Sequence, residues 1–152
     1  MKGYGLKLPN QYWTKRDVKD MKRAKNFTDL SKVAMRVLMR MPFPVGEVCG
    51  PITSGGFGSR AKNLEAFNAT IKKLQDEGKS IFDQLPFEDK LYEFTQAKWY
   101  AGGLQLLEEF YLPLFRSGLI QVFYFMPLWH TSFGAKWEHD QAKPCGIKIV
   151  YL

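Results

Sequence analysis

Two stretches of this chain carry side chains whose types and spacing could do chemistry. The first is Ser132-Phe133-Gly134-Ala135-Lys136-Trp137-Glu138, in which a hydroxyl stands six residues ahead of a carboxylate. If a helix starts near Phe133, then Gly134, Ala135, Glu138 and Ala142 fall on one side of it. That side is small and packable except for one acid, so Glu138 is either close to a ligand or snorkelling to water. Singly, each residue has a plainer explanation. Ser132 suits an N-cap, and an acid in the first turns of a helix is favoured by its dipole.

The second stretch is Pro51-Ile52-Thr53-Ser54-Gly55-Gly56-Phe57-Gly58-Ser59-Arg60. A glycine-rich loop running into a helix offers backbone N–H groups and the positive end of the helix dipole, and Arg60 could add charge to a phosphate held there. Such loops also serve as ordinary connections. The Walker pattern fails, for Gly78-Lys79-Ser80 has Lys73 where the first glycine of the motif would stand. Gly56-x-Gly58-x-x-Ala61 fits the dinucleotide fingerprint in form, with Asp83 about twenty residues on where it would meet a ribose. The first glycine of that motif should follow its strand at once, whereas five residues separate Gly50 from Gly56. No cofactor is expected. No metal site is expected either, since His130 and His139 lack partner spacing and Cys49 and Cys145 form no zinc pattern.

These stretches need a sheet to position them. Apolar runs at Leu119–Met126 and Ile147–Tyr151, separated by one helix, predict a βαβ unit with parallel strands. Gly46–Gly50 and Lys79–Asp83 read as two earlier strands, with a helix from about Ala61 to Glu77 between them. A further helix from Leu104 to Phe115 is interrupted by Pro113. Alternating strands and helices predict an α/β fold, a three-layer αβα sandwich with a parallel sheet of Rossmann-like or flavodoxin-like type. Ligands on such sheets bind beyond the carboxyl ends of the strands.

The net charge of +7 is unevenly spread: residues 1–44 hold eleven Lys/Arg against three Asp, and residues 45–152 eleven against twelve acids. The reading is therefore a basic N-terminal arm, 1–44, and an α/β domain, 45–152. Residues 1–26, with Gly3, Gly5 and Pro9, read as poorly structured. A helix capped by Thr28 or Asp29 follows, with Leu30, Val33, Ala34, Val37, Leu38 and Met41 on one side and a row of Lys32, Arg36 and Arg40 on the other. That row is a solvated basic face or a site for a polyanion; a nucleic acid would meet it through residues 15–40. No apolar run reaches the roughly 20 residues that span a bilayer. Without a signal-peptide pattern or a paired-cysteine pattern, a cytoplasmic protein is expected.

The order Val48-Cys49-Gly50-Pro51-Ile52, then Gly55-Gly56, then the Phe67–Leu74 helix with Gly78, then Ser132-x-Gly134-x-x-x-Glu138 and a Gly-Ile-x-Ile strand resembles the nucleoside 2-deoxyribosyltransferase superfamily. That superfamily includes the deoxynucleoside 5'-monophosphate N-glycosidases and small uncharacterised bacterial and phage proteins. The similarity covers about residues 45–152. It implies Glu138 as the nucleophile on the anomeric carbon. It also implies a phosphate cradle of Gly50, Ile52, Thr53, Ser54, Gly55, Gly56, Arg60, Ser132 and Gly134, and a homo-oligomer. Ser132 resembles the monophosphate hydrolases, where transferases usually carry Asp, and this leans toward a nucleotide. The family's second acid aligns with Glu108 or Glu109, and Trp129 is placed to stack on a base. Glu47 departs from the pattern, standing where a tyrosine often orients the nucleophile. A second carboxylate close to Glu138 would raise one pKa or repel an anionic substrate.

Three functions are thus open. One is N-glycosidic cleavage or deoxyribosyl transfer on a nucleotide or nucleoside. A second is a nucleotide-binding or regulatory protein of the same fold without turnover. The third is nucleic-acid or partner binding through the arm.

Overall fold

The computed structural model describes residues 7–152; the Gly3 and Gly5 of the expected unstructured arm lie outside the described residues. In chain order the elements are α1 (Lys15–Arg23), α2 (Phe27–Met39), β1 (Val45–Cys49), α3 (Arg60–Asp76), β2 (Ser80–Ile81) and α4 (Glu88–Thr95). A π turn at Leu107–Tyr111 then leads into α5 (Leu112–Arg116), followed by β3 (Val122–Phe125), α6 (Phe133–Ala142) and β4 (Lys148–Tyr151). The chain divides into two units. One takes residues up to Met41 together with Gln84–Leu114, the other Pro42–Asp83 together with Phe115–Leu152.

The first unit is helical. Its core includes Phe27, Leu30, Leu38, Phe87, Leu91 and Phe110, with Phe27 edge-on to Phe94 and Trp99. The expectation of a poorly structured stretch up to residue 26 is overturned by α1. Thr14 and Asp17 form a capping box: the Thr14 hydroxyl accepts from Asp17 N–H at 3.2 Å and Asp17 accepts from Thr14 N–H at 2.8 Å. Buried Asp17 also receives Arg36 Nε at 2.9 Å and Arg40 Nη1 at 2.6 Å, while Asp20 receives Arg36 Nη2 at 2.8 Å. α1 is thus amphipathic through an inward carboxylate, which a search for apolar periodicity passes over. Burial pushes the Asp17 carboxyl up, but hydrogen bonds from Thr14, Arg40 and Arg36 outweigh it and hold the group below the usual range. Two of the three cations in the Lys32–Arg36–Arg40 row are therefore committed to α1.

The N-cap of α2 is Asn26, two to three residues before the expected caps, its Oδ1 accepting from Asp29 N–H at 2.9 Å. Its apolar stripe is buried as expected and Lys32 is exposed. Pro113 does not break its helix. The ring and the missing N–H clash with a regular turn, and the π turn upstream opens the ladder to admit them, Leu112 N–H bonding Leu107 C=O.

The second unit is α/β, and it carries the expected architecture. Its four strands are all parallel in the order β2-β1-β3-β4, with Gly46 opposite both Ile81 and Val122, and Phe125 opposite Tyr151. The chain steps outward from β1 to β2 through α3, then from β3 to β4 through α6 in the other direction. Right-handed crossovers in opposite directions set α3 and α6 on opposite faces, which gives the three layers. The strand order reverses between β1 and β3, so the ligand-binding crevice of such a sheet opens at their carboxyl ends. All five residues of β1 are buried, as a central parallel strand requires.

The strands are shorter than the apolar runs. At the start of β3 the Gln121 side chain ends the ladder: its Oε1 accepts from Val45 N–H at 2.6 Å and its Nε2 donates to Gly118 C=O at 2.6 Å, while its own N–H still bonds Val45 C=O at 2.8 Å. Leu119 and Ile120 therefore precede the pairing. Among the described residues no helix is long and apolar enough to cross a membrane.

Candidate active site

β1 alternates its side chains, so Glu47 and Cys49 point to the same face of the sheet. α6 brings Glu138 to that face. One ligand atom each from Glu47, Cys49 and Glu138 lie within 4.8 Å of one another, and all three residues are buried. Of the two sequence alternatives for Glu138, burial excludes snorkelling: the residue is 7% exposed, among Ala135 and Ala142 on the packed side of α6.

The electrostatics follow from this crowding. No donor from the surrounding fold reaches either carboxylate oxygen of Glu47, whose polar neighbours are Glu138 and the Cys49 thiol. Burial, then the neighbouring charge of Glu138, drives the Glu47 carboxyl well above its ordinary range. Burial also raises Glu138, to about 7, while Glu47 and Cys49 as neighbouring donors restrain the rise. The Cys49 thiol is pushed up by burial and by both carboxylates, and it contacts the Glu47 C=O at 3.9 Å. Two carboxyls this close, away from water, do not both ionise. The pair holds a proton on Glu47 and leaves Glu138 to titrate near neutrality.

The same three groups could hold a divalent cation, two oxygens and a sulfur from two elements. A cation would first have to displace the thiol and carboxyl protons that burial favours. His139 is occupied elsewhere, its Nε2 2.6 Å from the Tyr151 hydroxyl.

The loop after β1 leads to the start of α6. Ser132 is the α6 N-cap, its hydroxyl oxygen accepting from Ala135 N–H at 3.2 Å. The Ser54 hydroxyl accepts from Phe133 N–H at 3.3 Å, and Thr131 Oγ1 accepts from Gly56 N–H at 2.8 Å. Gly55 has φ +68°, and a Cβ there would stand 2.2 Å from the Thr131 carbonyl oxygen, so only glycine allows this approach. Ser54, Gly55 and Gly56 are thus held against Thr131 and Phe133 at the start of α6, whereas Gly50 packs on Met126. Arg60 is the first residue of α3, behind its N-cap Ser59.

The loop owes its shape to Asn63, which sequence reasoning missed. Its Oδ1 accepts from Phe57 N–H at 2.7 Å, and its Nδ2 donates to the carbonyls of Ile52 at 3.0 Å and Gly55 at 3.1 Å. A signal existed: Asn63 falls in the buried stripe with Phe67, Ile71 and Leu74, and a polar residue there must satisfy itself inside. The amides of Gly56 and Phe57 are consequently engaged by Thr131 and Asn63 and do not wait open for a phosphate.

Of the remaining candidates, Asp83 follows β2 and is half-buried. Trp129 lies in a 3₁₀ turn after β3 and already stacks on His139, centroids 4.4 Å apart and 10° from parallel, with Phe125 at 5.2 Å. Glu109 belongs to the π turn, in the first unit. The second carboxylate gathered with Glu138 is Glu47. Scans of the chain against protein-family models, curated proteins and solved structures find no match.

Proposed function

We propose that this protein cleaves or transfers across the N-glycosidic bond of a nucleotide or nucleoside, with Glu138 as nucleophile and Glu47 as the neutral acid that orients it. The observation that carries this reading is the buried Glu47–Glu138 pair at the strand-order reversal. Attack by a Glu138 oxygen on the anomeric carbon forms a glycosyl ester as the C–N bond to the base breaks. The base leaves with the bonding pair and takes up a proton. Water or a second base then displaces Glu138 at the same carbon. A separation under 4.8 Å leaves no room for a catalytic water between the carboxyls, which favours a covalent route over direct displacement. The loop from Gly50 to Gly56, with Ser132 and Gly134, supports recognition of a sugar or its 5'-phosphate.

The test is chromatographic release of free base from a panel of ribo- and deoxynucleosides and their 5'-monophosphates, with and without an acceptor base. Release that vanishes in Glu138→Gln is expected. Release that survives that substitution refutes the assignment. Glu47, standing where a tyrosine would orient the nucleophile, favours a second reading, a binding protein without turnover, which nucleotide binding with no release from any substrate would support.

A further inference from the structure

Independently of that site, α1 sorts its charges. Its nine residues carry five cations and two acids. At 100° per residue, Lys15, Arg16, Lys19, Lys22 and Arg23 occupy about 120° of the helix circumference, and Asp17 and Asp20 lie outside that arc. All five cations are exposed. Asp17 is turned in and bonded by Arg36 and Arg40, and Asp20 by Arg36. Arg16 keeps only a loose contact with Asp20 at 3.6 Å and is 81% exposed. Among the described residues Lys15, Lys19, Lys22 and Arg23 have no acidic partner. α2 thus neutralises the acids of α1 and leaves an all-cationic outer face.

We infer that this face of α1 binds the phosphate backbone of duplex nucleic acid, without reading sequence. Five cations over about 12 Å of helix axis is one per ~2.5 Å, close to the one charge per 3.4 Å of a nucleic-acid strand. An anionic membrane is a poorer match. A helix lying on lipid inserts apolar side chains, and those of α1 face inward, Val18 being 4% exposed with Ala24 of its C-cap 6%. A single strand is also a poorer match, because single-strand binding relies on aromatic platforms and adjoining Trp13 is buried. Lysine predominates on this face, giving point charges that suit phosphates and leave base edges unread.

The experiment uses the full chain and fluorescence anisotropy with short labelled DNA and RNA duplexes, the matching single strands, and vesicles with and without phosphatidylserine. Lys19→Glu/Lys22→Glu is compared with Lys72→Glu/Lys73→Glu, an equal charge change on exposed residues of α3. Circular dichroism confirms that each variant folds. The expected result is duplex binding that weakens steeply between about 50 and 200 mM salt. It should fall on the order of tenfold or more in the α1 variant, with the salt slope lower by about two. The α3 variant should stay within about twofold of the parent, since its phosphate contacts are unchanged. Absence of duplex binding at low salt, equal losses in both variants, tighter binding of single strands, or binding of anionic vesicles in place of duplexes would each overturn the inference.

Discussion

Replacing Glu138 by Gln should destroy activity and stabilise the protein, and the gain should depend on pH. The Glu138 carboxyl titrates near 7 in the folded chain, against 4.5 for the unperturbed group. A raised folded value means that the native state prefers the protonated form. Below about pH 4.5 both folded and unfolded chains hold that proton, and the group costs nothing. As pH rises from 4.5 to 7, the unfolded chain ionises freely while the folded one resists, so stability falls. Above 7 the loss levels off at roughly 3 kcal/mol, from 1.36 kcal/mol per pKa unit. Glutamine keeps the shape and a hydrogen-bonding donor but cannot ionise, so it escapes this cost. Urea unfolding of parent and Glu138→Gln at pH 4.5, 6 and 8 reads the effect of the Glu138–Glu47 pair, because titrating groups outside the cluster cancel in the difference. The midpoints should coincide at the lowest pH and separate by about 2 M at the highest, for an m-value near 1.5 kcal/mol/M. A variant equally stable at pH 8, or more stable by the same amount at every pH, would refute the buried, titrating carboxylate.

Substitutions at Glu47 separate its roles. Glu47→Leu removes the neutral donor that restrains Glu138, so the midpoint of the pH–rate profile should rise above 7, while Glu47→Gln should leave it near 7. A fall in Glu47→Leu would show that Glu47 ionises first. Gly55→Ala forces a Cβ onto the Thr131 carbonyl, whereas at Gly58 (φ +105°) no atom lies within 4 Å of one. Thermal melts should show about 1–2 kcal/mol for the backbone strain at either position. Only Gly55→Ala should also raise the KM for substrate, and equal KM values would remove the loop from the site. Asp17→Ala should cost about 2 kcal/mol, discounted for the solvent-exposed guanidiniums it leaves behind. Because the Asp17 carboxyl is held low, its contribution is present above the ordinary Asp range and is lost as pH falls through the depressed value. Acid titration of the parent should therefore converge on Asp17→Ala, and parallel curves would exclude this latch.

The sheet and its crossover helices were legible because burial writes itself into sequence as runs and stripes. Ile147–Tyr151, the Phe67–Leu74 stripe and the start of α6 at Phe133 follow from spacing alone. What spacing does not encode is which buried polar groups meet. Glu47 and Glu138 are separated by nearly the whole α/β region and come together only because β1 is central and α6 crosses back over its face. Glu47 alone reads as an interruption in a buried strand, and Asp17 alone as one charge in a mixed run. Each acquires its meaning from a partner on another element: Glu138 for the first, Arg36 and Arg40 for the second. The two cases diverge in their chemistry. Asp17 is fully answered by donors, so it holds its charge and docks a helix. Glu47 meets only a second carboxyl and a thiol, so it holds a proton instead. A carboxyl kept neutral beside one poised near neutrality is a costly arrangement for a fold to maintain, and that cost favours chemistry there over the ion-paired cluster on α1.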